Sequence, residues 1–167
     1  MTARADELRD DFDRGFAAAL RAAETGHGHA LCVRIGGEPF AIRLADIASL
    51  HARLRVVALP TGARELMGAA AIRASIVPVY DLAVALGMPR INEAPWIILH
   101  RGGAAGFAFE VYEGHARVPE RSSGGAARGH VVGQLTVDGQ LRSVIDLDSV
   151  LAAVEKRSNQ SGSAKEQ

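Results

Sequence analysis

Met67 to Gly87, MGAAAIRASIVPVYDLAVALG, reads as strand, two-residue turn, strand and a short helix opened by Asp81. The pattern returns in the second half of the chain. With Gly68 set on Gly133, Ile72 falls on Val137, the Arg73-Ala74 turn on Asp138-Gly139, and Ile76 on Leu141. Val79 then falls on Val144, Asp81-Leu82 on Asp146-Leu147 and Leu86 on Leu151. Upstream, Gly36-Gly37 falls on Gly102-Gly103, and PFAIRLAD (Pro39 to Asp46) resembles GFAFEVYE (Gly106 to Glu113). A nearly constant offset of about 65 positions marks an internal repeat. Two similar small β units are therefore expected, the first over about 30–93 and the second over about 94–157.

Units of that size are near the lower limit for an independent hydrophobic core, so the copies are expected to share apolar surface. The chain has 167 residues, 48% of them hydrophobic, which suits a folded protein. Its 19 basic and 19 acidic residues cancel, which argues against general attraction to nucleic acid or anionic lipid. Cys32 is the sole cysteine and forbids an internal disulfide framework. No apolar run approaches bilayer length and no leader pattern opens the chain, so a soluble cytoplasmic protein without membrane insertion is expected.

Residues 5–23 carry Leu8, Phe12, Phe16 and Leu20 at every fourth position, the stripe of an amphipathic helix, and Gly26 can end it. The stripe packs either on the chain's own body or on a partner. His27-Gly28-His29 reads as a solvated linker, since no ligand cluster accompanies it, and no metal is expected. The period turns to alternation at Leu31. Leu31, Val33 and Ile35 share one strand face, and Phe40, Ile42 and Leu44 the next. Leu44 to His51 reads as a short helical turn, followed by a strand over 54–59. Pro78 inside a strand implies an edge or a local distortion. Pro119 to Gly129 has the composition of a mobile loop, and 158–167 that of a disordered tail.

Asp81 and Asp146 occupy matching positions, each between a strand and a Leu-x-x-x-Leu run. A helix N-cap, worth about 1 kcal/mol, accounts for both. A small hydrolase or ligand-binding barrel using Asp81, Asp146 or Glu110 is the competing reading; it needs a shared cleft. No phosphate loop, dinucleotide fingerprint or nucleophile elbow is present, and no cofactor is implied. Arg73, at a hairpin tip where the second copy has Asp138, is either an exposed turn residue or an anchor for a partner.

Over Leu31 to Val154 the chain resembles the CheW-type chemotaxis coupling proteins. Their central motif, G-x-x-N-L-R-G-x-I-x-P-V-x-D-L, is matched by Gly68, Arg73, Ile76, Pro78, Val79, Asp81 and Leu82. The GGEPFAI, GFAFE and DG-then-IDL stretches follow in the family's order. The resemblance implies a mainly β fold of two five-stranded SH3-like barrels sharing a core. It also implies a non-catalytic adaptor bridging the cytoplasmic tip of chemoreceptors to a chemotaxis histidine kinase regulatory domain, recruited to membrane-associated arrays. Partner-binding positions carried over are Ile47, Ser49, Gly68, Arg73, Ala74 and Glu110. The chain departs from the pattern with Ala71-Ile72-Arg73-Ala74 for Asn-Leu-Arg-Gly, with Phe109-Glu110 for Val-Asp, and with Ser49 where an acid is common. If the Gly position needs positive φ, Ala74 costs about 1 kcal/mol. These departures suit a divergent member, and a decoy binding only one partner is a third reading.

Overall fold

The computed structural model describes residues 10, 12–14, 28–118 and 128–163. In chain order the strands are β1 (Gly28–Ile35), β2 (Glu38–Arg43), β3 (Ile47–Ala52), β4 (Leu66–Ile72) and β5 (Ser75–Asp81). After helix α1 (Leu82–Ala85) come β6 (Trp96–His100), β7 (Gly106–Phe109), β8 (Val111–Val118), β9 (Val131–Val137) and β10 (Gln140–Ile145). Helix α2 (Leu147–Ser163) follows.

The repeat is expressed as a reciprocal exchange. One five-stranded sheet has the order β8-β1-β2-β10-β9, the other β3-β6-β7-β5-β4. Exchanging each strand for its counterpart in the other copy (β1 for β6, β2 for β7, and so on) turns one order into the other. Each sheet takes two strands from one copy and three from the other, so the sheets do not follow the expected division at 93/94. Two parallel pairings make the exchange. β2 runs beside β10, with Ile42 opposite Ile145, and β5 runs beside β7, with Asp81 opposite Ala108.

Between the sheets lies one common core. Leu31, Val33, Ile35, Ile42 and Ile145 enter from the first sheet, and Tyr80, Ile98, Phe107 and Phe109 from the second. Leu147, Val150 and Val154 of α2 join them. Each such side chain contributes about 1.5–3 kcal/mol when fully buried. On their other faces the sheets keep small separate cores, Ala70, Ile72, Val77, Val79, Ile97, Leu99 and Ala108 in one, Ala30, Ala41, Leu135 and Val144 in the other. The mainly β, two-unit fold with a shared core is as expected.

Three two-residue turns close β1–β2, β4–β5 and β9–β10. Both central residues have positive φ in each: 59° and 82° at Gly36-Gly37, 50° and 62° at Arg73-Ala74, 48° and 76° at Asp138-Gly139. That geometry matches the twist of the flanking strands.

Several expectations change. Only Leu44–Asp46 forms a helical turn, because Ile47–Ala52 pairs with β6 as a strand. Instead of a strand, the segment 54–59 holds one bridge, Val57 to Ala69. His29 is no linker residue: β1 begins at Gly28 and pairs with β8 from there. Residues 158–163 extend α2, whose first half is anchored by Leu147, Val150 and Val154, so the tail is helical further than its polarity suggested. Pro78 lies on an inner strand, but pairing of β5 with β7 covers only Val79 to Asp81, so the missing N–H falls where β5 has no neighbour on that side. Phe12 packs into the common core and meets Tyr112 edge-on at 5.8 Å, which puts that position of the N-terminal stripe on the chain's own body. Leu8, Phe16 and Leu20, and residues 119–127 of the expected mobile loop, lie outside the described residues.

Candidate functional site: the β4–β5 hairpin and edge strand β3

Arg73 at the β4–β5 tip reaches the opposite edge of its own sheet. Arg73 Nη2 donates to the Ala48 carbonyl at 3.4 Å, although β3 and β4 are the two outer strands of that sheet. Beside it on β3, Ser49 Oγ and His51 Nε2 are 2.8 Å apart, as two residues on one strand face can be. Arg73 has no carboxylate partner among the described residues, nor do the exposed Arg53 and Arg55. By contrast Arg34, Arg43, Arg90, Arg101, Arg142 and Arg157 are all paired.

The face of this hairpin that turns toward the common core is apolar and partly uncovered. Val57 bridges Ala69, Ala69 stands opposite Pro78, and Ala71 stands opposite Ile76, so these residues share one face. Ile76 is 82% exposed and Val57 55%, with Leu59 close in sequence at 46%. The same side of β5 buries Tyr80 in the common core, so the strip is the core-facing surface running out past its cover. Sequence reasoning placed Ile76 in the repeat and the motif but did not assign it, Val57 or Leu59 to a partner surface. Hydrophobicity alone reads as burial; the signal was the small, featureless Ala69 and Ala71 beside them, which leave no bulk to cover the strip.

Of the carried-over positions, Ser49, Arg73 and Ala74 come together here. Ile47 is 5% exposed and belongs to the common core. Gly68 is buried, with φ 154°, and a Cβ on it would lie 2.1 Å from the Val57 carbonyl oxygen. Its absent side chain lets the 53–59 segment close onto β4. Glu110 lies elsewhere, in an open depression of about 490 Å³ lined by Arg90, Ile91, Asn92, Glu93, Pro95 and Val111.

The other carboxylates hold structure together. Asp81 accepts from Val84 N–H at 3.3 Å, and Asp146 accepts from the N–H groups of Asp148 and Ser149 at 3.1 and 3.3 Å. Both are N-caps, as the repeat predicted. Burial pushes the Asp81 carboxyl above its ordinary pKa, opposed by the Val84 hydrogen bond and by Arg90 3.8 Å away. His100 is structural as well. Its Nδ1 accepts from Gly102 N–H at 3.1 Å, so Nε2 carries the proton and donates to Asp148 Oδ1 at 2.7 Å. That hydrogen bond, with the charge of Arg101, holds Asp148 below the usual carboxylate range. The contact ties the β6–β7 turn to α2. No group of three or more His, Cys, Asp or Glu side chains among the described residues could hold a metal ion.

The family model of the CheW-like domain matches residues 29–155. The chain belongs to the CheW-like domain family. This CheW-like chain is also similar to a solved structure, the scaffolding protein TtCheW from Thermoanaerobacter tengcongensis. The TM-score is 0.64 at 17% identity, over 72% of this chain and 89% of that one, a likeness of fold. No curated protein sequence matches the chain. No helix among the described residues is long and apolar enough to cross a membrane. In this CheW-like chain the Ser49 hydroxyl is turned to His51, and Arg73 makes a long bond to a backbone carbonyl.

Proposed function

We propose that the chain is a non-catalytic adaptor of chemosensory signalling that holds a chemotaxis histidine kinase regulatory domain and the cytoplasmic tip of a chemoreceptor in fixed relative orientation. The observation that carries this reading is the apolar strip of Val57, Ala71 and Ile76 beside Arg73, which has no carboxylate partner among the described residues, on a fold of the CheW-like family. An apolar centre flanked by arginine is the composition of a protein-binding surface. The adaptor acts by geometry: a change in the receptor alters which contacts the kinase domain can keep, and so shifts its population of states. Ser49, Arg73 and Ala74 would touch a partner directly, and Glu110 would do so at a separate place. Ile47 and Gly68 would serve by shaping β3 and β4.

The test is co-purification of the tagged chain from its native cells, with identification of the retained proteins. A chemotaxis kinase and a chemoreceptor are expected with the unaltered chain. Ile76→Asp or Arg73→Glu should lose one of them while the melting temperature stays unchanged. Retention of both partners by both variants would remove this surface from the mechanism, and absence of both from the unaltered chain would refute the adaptor reading.

A further inference from the structure

The family match begins at residue 29, so the N-terminal stripe is an addition to the shared domain, and one of its side chains has a defined place on that domain. Residues 12–14 are helical; Asp10, Asp13 and Arg14 are exposed, whereas Phe12 is buried. The Phe12 ring stands edge-on to Tyr112 at 5.8 Å, and Tyr112 lies 5.2 Å from Trp96. Tyr112 belongs to β8, an edge strand of the first sheet, and Trp96 to β6 of the second. The three rings therefore cross the seam where the two sheets meet. Tyr112 and Trp96 are only half-buried with Phe12 in place, so withdrawing Phe12 uncovers an aromatic socket. Residues 15–27, with Gly15 and Gly26 among them, join the Phe12 segment to β1. A tether of that length holds the ring at a roughly millimolar effective concentration beside its socket, enough to fill the socket without locking it.

We propose that the N-terminal arm is a detachable strap: Phe12 keeps closed a docking socket between β6 and β8, and the amphipathic helix of a partner, anchored by an aromatic side chain, takes the socket by displacing it. The chemistry of that partner is read from the occupant already seated there, an aromatic ring carried on a helical segment. Such helices enter grooves through anchors at every third or fourth position, the spacing of Leu8, Phe12, Phe16 and Leu20. The strap is a competitor built into the same chain. A partner meets an open socket only for the fraction of time the arm is away, and its apparent affinity falls by that fraction. The inference goes beyond the adaptor reading, adding a docking place that the chain's own terminus controls.

The probe is a labelled synthetic peptide of residues 5–23, added to the full chain and followed by fluorescence anisotropy, with the emission of Trp96, the sole tryptophan, as a second readout. The Phe12→Ala chain, its socket vacated, should bind the peptide about 10-fold tighter or more than the unaltered chain does, the ratio for a strap closed about nine-tenths of the time. Phe12→Leu, which keeps an apolar anchor, should fall between the two. Binding should shift the Trp96 emission. It should vanish with a Phe12→Ala peptide, and when Tyr112→Ala is added to the Phe12→Ala chain. Equal affinity for the altered and unaltered chains, no binding to a folded Phe12→Ala chain, or a Phe12→Ala peptide that binds as well as the original would each overturn the proposal. So would a Phe12→Ala chain that circular dichroism shows to be unfolded, because a strap must leave a folded body behind it. Only this chain and its own peptide take part, so loss of kinase or receptor binding leaves these results unmoved, which separates this test from that of the adaptor.

Discussion

Gly68→Ala separates a structural role for Gly68 from a role at the partner surface. The added Cβ would stand 2.1 Å from the Val57 oxygen, 2.7 Å from its carbonyl carbon and 3.0 Å from Ala58 Cα, all backbone atoms that no rotamer change can move. The 53–59 segment must lift, breaking the Val57 N–H to Ala69 bond at 2.8 Å and the Ala69 N–H to Val57 bond at 2.9 Å. Two such bonds are worth about 1 kcal/mol each. A side chain at φ 154° adds about 1–2 kcal/mol of backbone strain. Lifting the segment also loosens Leu54 and Val56 from the small core beneath. The total is about 3–5 kcal/mol, a large part of the stability of an ordinary domain. Urea unfolding measures it as a lower midpoint at unchanged slope. Gly37→Ala is the control: φ is 82° there but nothing lies within 4 Å of the new Cβ, so only about 1 kcal/mol of strain is expected. A loss below about 1 kcal/mol for Gly68→Ala, with partner binding abolished, would refute the steric argument and return Gly68 to the docking surface.

Ala74→Gly should stabilise the fold by about 1 kcal/mol, read as a rise of a few degrees in melting temperature, because Ala74 holds φ 62° at no contact's expense. Asp146→Ala should lose about 1 kcal/mol in urea unfolding and Asp146→Asn a few tenths, since Asn caps almost as well. The Glu113 carboxylate is raised by burial but drawn down further by hydrogen bonds and charge from Arg142 and Arg34, so it ends below its ordinary 4.5. A lowered native pKa stabilises fully above that value and the gain is lost as pH falls through the native one, so the acid arm of the stability–pH curve should flatten in Glu113→Gln. Fragments 1–93 and 94–167 should each be unfolded alone by circular dichroism and regain β structure when mixed, because every sheet needs strands from both.

What the sequence showed and what it hid follow from which forces are local. Turn chemistry is local, so the Asp138-Gly139 hairpin and its echo at Arg73-Ala74 were legible, as were the two caps at Asp81 and Asp146. Which copy pairs with which is decided by the parallel neighbours of β5 and β10, contacts remote along the chain, and the repeat is equally satisfied by two separate units or by their exchange. The short helical turn expected over Leu44 to His51 gave way after Asp46 because pairing with β6 overrode local preference. β10 shows the same limit at single residues. Hydropathy places Leu141 inside and Arg142 outside, yet Leu141 is 55% exposed and Arg142 6%. Arg142 fills the inner position that Val77 holds in the other copy, and it can do so only because Glu113, from β8, meets its guanidinium at 2.6 Å.

The exchange also bears on why a duplicated unit suits a scaffold. Two barrels joined by a linker would rotate against each other, and surfaces on them would pass no orientation from one to the other. Here Ile42 and Ile145 of one sheet face Phe107 and Ile98 of the other across a single core, and His100 of the second sheet is bonded to Asp148 of the helix that follows the first. Turning one sheet relative to the other would therefore open close-packed apolar surface, at about 25 cal/mol for each Å² exposed. The β4–β5 hairpin, with Arg73 at its tip, and the β9–β10 hairpin, with Asp138 at its tip, are held at one fixed angle by that cost. A protein that acts by setting the angle between its partners needs this rigidity more than it needs any particular side chain at the tips, which leaves the tips free to differ in charge.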